Sequence, residues 1–521
     1  MQILFIFRKI NTLVYSITKL GVFVKLFLEE FIMVFIKKVN ESFVRVTGEY
    51  DQLLNISNYF SFFTDNYMWS PKYRSGIWDG KLRLFNLRNN LLPIGLFPRL
   101  KYFCKESCID TEIDFKKTSI KITDENIIDF SKKKLKMEIT LRDYQVNAIR
   151  ESFKAGKLIV KSPTSSGKSA IIYLIQELYR AIHKGSKVLI IVPTISLVEQ
   201  MKGDFLEYSE NSAVDISGQI NTVYSGQERD FKKQITVSTW QSLQNIKKKK
   251  FFQQFKCVLV DECHSCENAI QIKNIIESCS QADMKVGFTG TLSDPKVNKI
   301  QLEGLFGKVN AEVTTKKLME RQLISKLNIK VFVLNYKDDI KRVNHKSLYH
   351  EEMQFLQELD SRTDFIIKTI NSIDKNILFL FRNLSYGTKI FELLNRTIKG
   401  RKIYYVAGST KVEVREQVRK VTNLDRNAII VASLQVFSTG INLPALDYVI
   451  FGQTFKSKIK VLQSIGRVLR KTEKKNKAVL IDIVDNLTWR RRKNYAFKHA
   501  LDRISIYDKE QFNYDIKEID I

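Results

Sequence analysis

Gly167-Lys168-Ser169 closes a run of small residues, Ser162-Pro163-Thr164-Ser165-Ser166, that follows the apolar stretch Leu158-Ile159-Val160. Backbone N–H groups of such a loop can wrap a phosphate at a helix N-terminus, with Lys168 as a point charge on the β/γ-phosphates and the Ser169 hydroxyl on Mg²⁺. The general pattern wants Gly where Ser162 stands, and Gly-Lys-Ser after a strand also arises by chance, so the loop needs partners elsewhere in the chain. Val258-Leu259-Val260 supplies one set by running into Asp261-Glu262: one carboxylate to hold Mg²⁺, the other to orient or deprotonate a water. A second set is Gln463 to Arg470, where Arg467 and Arg470 stand at i and i+3 on one helical face. Such a pair is more often plain surface, but opposite a nucleotide cleft it would stabilise phosphoryl transfer. Cys263-His264-Ser265-Cys266 has no second cysteine or histidine pair at finger-like spacing, which argues against a zinc site.

The elements that must carry these groups are legible in the hydrophobic pattern. Between Leu141 and about Gln322, short non-alternating apolar runs (158–160, 188–192, 236–238, 258–260, 286–289) alternate with helical stretches. Strands of that kind are buried on both faces, so a parallel sheet covered by helices is expected, with function at the strands' carboxyl ends. A second series follows at 330–334, 377–381, 402–406, 428–432, 448–451 and 478–481, implying another parallel sheet without a phosphate loop. Before both lies a small α/β module in which Phe43 to Val46 reads as a strand, Leu53 to Phe63 as a helix and Ile77 to Leu84 as a hairpin turning on Asp79-Gly80. Its interleaved aromatic and basic residues, among them Arg74, Trp78, Lys81 and Arg83, suit bases and phosphates. Residues 115–138 read as a connector, and the tail from Leu487 as a basic helix docked through Phe497, Leu501 and Ile504.

Bulk properties set the frame. A chain of 521 residues exceeds one ordinary core, and 85 Lys+Arg against 56 Asp+Glu give a formal net charge of +29, which favours a polyanionic partner. Abundant Lys, Asn and Ile point to an A/T-rich coding sequence that contributes passively to the surplus. Six cysteines are too few for a disulfide framework at this size, which fits a reducing compartment. In residues 1–32, Arg8, Lys9, Lys19 and Lys25 interrupt every apolar run before it could cross a bilayer. That segment reads as a non-native or flexible extension ahead of Met33, with an amphipathic surface helix as the other reading.

Lined up in order, the motifs resemble those of superfamily 2 helicases and translocases over about residues 139–485. Leu141-Arg142-Asp143-Tyr144-Gln145 is similar to the adenine-reading motif, Pro163 to Ser169 to motif I, and Val192-Pro193-Thr194 to motif Ia. Thr239-Trp240-Gln241 resembles the next strand-contacting motif, Asp261-Glu262-Cys263-His264 motif II, and Thr289-Gly290-Thr291 motif III. Val431-Ala432-Ser433 with Ser438 to Asn442 resembles motif V, and Gln463 to Arg470 motif VI. The resemblance implies two tandem RecA-like lobes of the P-loop NTPase type, with the small α/β domain before them and a helical tail after. It implies ATP and Mg²⁺ as cofactors. Carried over residue by residue, it implies catalysis by Lys168, Asp261, Glu262, His264, Gln463, Arg467 and Arg470, and ATP contacts from Arg142, Gln145, Thr164, Ser165, Ser166, Gly167, Lys168, Ser169, Gly440 and Asn442. Ser169 and Asp261 would hold Mg²⁺, while Pro193, Thr194, Thr239, Gln241 and Ser433 would touch nucleic acid. One departure is Ser165, where relatives usually carry Gly.

The expected domains are 1–32, 33–130, 131–324, 325–486 and 487–521. Tyr73 to Lys81, Leu91 to Leu96 and Ile465 to Lys471 narrow the resemblance to the UvsW-type recombination helicases of T-even-type phages, starting near Met33 and reaching Phe512-Asn513-Tyr514. That implies unwinding, migration or regression of branched DNA (forks, Holliday junctions, D-loops and R-loops) in recombination, repair and replication, in the cytoplasm of an infected bacterium. Partners so implied are DNA with a single-stranded track, an RNA–DNA hybrid and the phage single-strand-binding protein, with no membrane. A restriction-type duplex translocase, an RNA helicase and an ATP-switched annealing protein are the competing readings.

Overall fold

The computed structural model describes residues 33–521 other than 117–118, 213–215, 225–230, 247–248, 268, 293–295, 409, 411–413, 415–416, 419–420, 422–424, 440–445, 456 and 470–474. The expectations for residues 1–32 lie outside the described residues. The five apolar runs of the first series, with two edge strands that sequence reasoning missed, Val309–Glu312 and Ile220–Val223, form a parallel seven-stranded sheet in the order Val309–Glu312, Lys157–Lys161, Met284–Thr289, Phe255–Val260, Lys187–Val192, Ile235–Thr239, Ile220–Val223. Met284–Thr289 is buried throughout and Phe255–Val260 nearly so, as strands covered on both faces must be. Helices Lys168–Ile182 and Ile195–Ser209 pack on one face, Ile270–Ser278 and Lys296–Phe306 on the other. The strand ending at Thr289 lies between the strand that feeds the phosphate loop and the strand that leads into Asp261.

The six runs of the second series, with the added edge strand Tyr514–Asp520, form another parallel seven-stranded sheet: Ile403–Val406, Ile429–Ser433, Ile377–Phe381, Tyr448–Phe451, Lys477–Asn486, Lys326–Asn335, Tyr514–Asp520. Two tandem lobes of RecA type are therefore present. Among the described residues no helix is long and apolar enough to cross a membrane.

The amino-terminal module has a four-stranded sheet, Leu91–Pro93, Phe43–Thr47, Met33–Lys38, Asp110–Asp114, mixed in direction. It is fastened to the first lobe. Glu41 pairs with Lys157 at 2.8 Å, Arg99 with Glu303 at 2.5 Å, and the buried Lys285 donates to Ser42 Oγ at 2.7 Å. Ile300 of the first lobe sits inside the module's own core. Gly95 lies so close that a Cβ would stand 2.0 Å from the Glu303 carbonyl, which only glycine permits.

Four expectations are corrected. Asp79-Gly80 does not turn a hairpin within 77–84: strand Lys81–Arg83 pairs antiparallel with Ser61–Phe63, because the helix Tyr50–Tyr59 stops early enough to free that segment. Residues 115–138 are not a bare connector, since Ile127, Leu135 and Met137 are buried in the first lobe's core. Val313, Leu318 and Ile324 belong to the second lobe's core, so the crossover between lobes comes before residue 324. The tail is not only helical: after helix Tyr495–Lys509 the chain adds Tyr514–Asp520 as an edge strand, and Leu501 faces outward while Ala500, Arg503 and Tyr507 face in.

Candidate nucleotide and nucleic-acid site

The phosphate loop leaves the strand Lys157–Lys161 at its carboxyl end, and Gly167 caps the following helix at φ +81°. A Cβ there would meet Gln145 Nε2 at 2.4 Å, so this glycine lets the adenine-motif glutamine reach the loop. Gln145 Nε2 donates to the Ser166 carbonyl at 3.0 Å, its Oε1 accepts from Arg142 N at 2.9 Å, and Tyr144 donates to the same Ser166 carbonyl at 2.7 Å. Ser162, at the unusual glycine position, donates to Ser166 Oγ, which donates to the Pro163 carbonyl, so the hydroxyl is consumed inside the loop. Ser165 holds φ +71°, a left-handed conformation natural for glycine, and its Oγ donates to the Gly466 carbonyl of the second lobe at 2.9 Å. Thr164 touches the same Gly466.

Lys168 Nζ donates to the Ser162 carbonyl at 3.1 Å and stands 3.9 Å from Glu262 Oε1. Burial first, and the adjacent Glu262 carboxylate second, push Asp261 up to about 6, opposed by the Lys168 ammonium. Glu262 itself sits at φ +50°, a conformation costing roughly 1–2 kcal/mol for a residue with a Cβ. His264 Nδ1 lies 2.9 Å from Thr289 Oγ1 and 3.2 Å from Glu262 Oε2. The Thr289 hydroxyl donates to the Thr291 carbonyl and accepts from Thr291 N, which leaves Nδ1 as the donor to it. Motifs II and III are thus joined through one imidazole.

A buried, proton-attracting carboxylate beside a second carboxylate, with a hydroxyl on the neighbouring helix, is a donor set of hard oxygens that suits Mg²⁺ completed by phosphate oxygens. Among the described residues no cluster of three or more His, Cys, Asp or Glu side chains offers a complete protein cage.

Gln463, Leu462 and Gly466 line a small cavity between the lobes together with Pro163, Thr164 and Thr291. Arg467 lies on the helix Lys458–Val468, but its side chain, like all of Arg470, Gly440 and Asn442, is outside the described residues. Ser433 ends its strand buried, with an Oγ that finds no hydrogen-bond partner among the described residues. Pro193 and Thr194 follow the strand Lys187–Val192, where Thr194 caps the helix Ile195–Ser209, and Thr239 ends its strand with Oγ1 3.0 Å from Ser242 Oγ. Gln241 is exposed on the short helix Trp240–Leu243.

The four residues of the amino-terminal module stand apart from the nucleotide loop, on residues 67–83. Arg74 lies 5.2 Å over the Trp69 ring, Lys81 lies 5.0 Å over Phe63, Arg83 is paired with Asp79, and Trp78 Nε1 donates to the Lys81 carbonyl. Trp69, one of the interleaved aromatics of the sequence, is 73% exposed beside them, and sequence reasoning missed the exposed apolar tips Met68 and Ile77 (79%). It also missed Tyr208, whose hydroxyl is 2.9 Å from Ser169 Oγ, because only folding brings that helix end to the loop. A cavity of about 650 Å³ in the second lobe, lined by Tyr349, Arg382, Asn383, Gln453 and Thr454, went unread as well. Its signal was present: Arg382-Asn383 directly follow the apolar run Ile377–Phe381.

Comparison with known proteins agrees with this architecture. Three family descriptions match: "DNA helicase UvsW, N-terminal" over residues 34–114, "Type III restriction enzyme, res subunit" over 138–294, and "Helicase conserved C-terminal domain" over 358–472. The ATP-dependent DNA helicase uvsW of Enterobacteria phage T4 is 34% identical over 503 residues, 92% of this chain and 98% of the relative. The crystal structure of T4 UvsW matches 94% of this chain and 99% of its own at 32% identity and a TM-score of 0.49. The type ISP restriction-modification enzyme LlaBIII bound to DNA shares the fold over 74% of this chain and 32% of its own, at 17% identity and a TM-score of 0.56.

Proposed function

We propose, from the premise that this chain belongs to the UvsW family of ATP-dependent DNA helicases, that its lobes bind and hydrolyse ATP between them and work on branched DNA. The observation that carries the ATP site is the meeting at the phosphate loop: Lys168 faces Glu262 in the first lobe while Ser165 bonds Gly466 of the second.

In this reading Gln145 and Arg142 hold the adenine side of the loop, while Thr164, Ser165, Ser166 and Gly167 present backbone to the phosphates. Lys168 leaves the Ser162 carbonyl for the β/γ-phosphates. Ser169 and Asp261 hold Mg²⁺, which when bound neutralises phosphate charge in the transition state. Glu262 orients and deprotonates the attacking water, and His264, bonded through Nδ1 to Thr289, stands 3.2 Å from that carboxylate. Arg467 and Arg470, with Gln463, add positive charge from the facing lobe, and Gly440 and Asn442 complete the nucleotide contacts. The track for a single strand runs along the carboxyl ends of both sheets: Pro193, Thr194, Thr239 and Gln241 on one, Ser433 and Arg382 on the other. The amino-terminal surface of Arg74, Trp78, Lys81 and Arg83, with Trp69 and Ile77, meets the branch point. RNA–DNA hybrids and a single-strand-binding protein are further partners in this reading, and the host cytoplasm is its setting.

A gel assay of forked, Holliday, D-loop and R-loop substrates with and without ATP tests the substrate class. ATP-dependent conversion of branched substrates in preference to linear duplex is expected. Equal action on linear duplex would reject the branched-DNA reading.

A further inference from the structure

Strand Lys477–Asn486 carries two buried aspartates three residues apart, which therefore point to opposite faces of the second sheet. Asp482 meets the carboxyl-terminal helix Tyr495–Lys509, where Arg503 donates to it from Nε at 2.9 Å and Nη2 at 2.8 Å and Tyr507 donates at 2.9 Å. Asp485 meets the helix Asp360–Asn371, where Arg362 donates from Nε at 2.8 Å and Nη2 at 3.1 Å, and Tyr336 donates at 2.7 Å. All four charged side chains are at most 2% exposed.

Neither arginine stops at its aspartate. Arg362 Nη2 also donates to the Gly452 carbonyl at 2.9 Å, and Arg503 Nη1 to the Phe455 carbonyl at 3.2 Å. Those two carbonyls bracket residues 452–455, the segment that leads from strand Tyr448–Phe451 to Ser457, the N-cap of helix Lys458–Val468. The same segment is held by Gln453 Oε1, which accepts from Arg382 N and Asn383 N. At its far end the helix delivers the Gly466 carbonyl to Ser165 of the phosphate loop. Glu510 and Phe512, just past the carboxyl-terminal helix, line the same interlobe cavity as Gln463 and Thr164.

Buried ion pairs are a poor route to stability, because well-packed apolar residues of similar volume often do as well or better. A guanidinium, however, can hold a carboxylate with one edge and reach a carbonyl with another, which no apolar side chain can. We infer that Arg503 and Arg362, acting through Asp482 and Asp485, are positioning residues for ATP hydrolysis: a two-sided clamp on residues 452–455 that fixes the aim of helix Lys458–Val468 at the phosphate loop. The carboxyl-terminal module is then a working part of the motor. This inference rests on the ATPase reading above, and a parent protein without DNA-stimulated hydrolysis would remove that reading rather than the clamp alone.

The test uses the full chain with Arg503→Met, Asp482→Leu and Tyr507→Phe together, an apolar replacement of similar volume. A melting midpoint at or above the parent's is expected, with KM for ATP within about threefold and kcat for DNA-stimulated hydrolysis lowered about tenfold or more. A folded triple variant with kcat within about twofold of the parent would overturn the clamp. Should that variant fail to fold, Arg503→Lys carries the same test: it keeps the charge on Asp482 and loses the reach to Phe455. A loss of kcat at unchanged KM supports the inference, and parental kcat sinks it.

Discussion

Ser165 shows how one side chain can bend a local rule for a distant partner. Its φ of +71° strains a residue with a Cβ, yet its Oγ reaches the Gly466 carbonyl across the cleft. Ser165→Gly should therefore lose the bond and relieve the strain, whereas Ser165→Ala loses the bond and keeps the strain. The alanine variant is expected to be about 1 kcal/mol less stable than the glycine variant in denaturant titrations. Lys168 makes a sharper case, since its ammonium reaches both the loop and Glu262. Lys168→Ala should abolish DNA-stimulated ATP turnover while DNA affinity stays within a few-fold, read by phosphate release and by anisotropy. Unchanged turnover would sink the phosphate-loop assignment.

Two elements carry consequences of their own. Strand Met284–Thr289 buries Lys285, whose ammonium donates to Ser42 Oγ and the Ile276 carbonyl, and desolvation, opposed by the Glu41 and Glu277 carboxylates at longer range, pulls that ammonium down to about 8 from 10.5. The folded state holds fewer protons at this site than the unfolded chain between those values. Stability should therefore rise with pH from about 8 to 10.5, and the full penalty of charging is present below 8. Lys285→Met should remove that slope and stabilise the protein at pH 7 by about 1–3 kcal/mol, read by melting across the pH range. The segment 67–83 presents Trp69 and Ile77 to solvent beside Arg74 and Lys81. Replacing Trp69 and Ile77 by alanine should weaken binding to forked DNA by about tenfold and to single-stranded DNA by less than about twofold, since a stacking side chain contributes roughly 1–3 kcal/mol per base. Equal losses on both would reject a junction role for this surface.

For the whole molecule, the amino-terminal module rides on the first lobe. Its core includes Ile300, its edge is pinned by Glu41, Ser42 and Arg99, and Gly95 lies against the Glu303 carbonyl. Under the proposed function, a surface so fastened would move with the first lobe, and strokes of the second lobe would pull DNA past it. Gly95→Ala should overpack that seam and cost about 1–3 kcal/mol, read by thermal melting. A neutral outcome would show that the module can shift on its lobe.

The phosphate loop, the acidic pair and both strand series were legible in the sequence because each depends on local order: apolar runs buried on two faces, and turn residues placed directly after them. The strand Tyr514–Asp520 was not, since its alternating polar residues form an edge whose pairing with Lys326–Asn335 is set by a partner far away in the chain. The strand pairing of Lys81–Arg83 with Ser61–Phe63 escaped for the same reason. Tyr208 beside Ser169, Ser165 on Gly466, and the arginine clamps at Asp482 and Asp485 join residues from 21 to 301 positions apart. Sequence by itself determined the chemistry available and the order in which it is delivered. Only the tertiary structure decided which hydroxyls, carboxylates and carbonyls meet, because burial drives most polar groups to find a partner and the fold alone sets which partners are in reach.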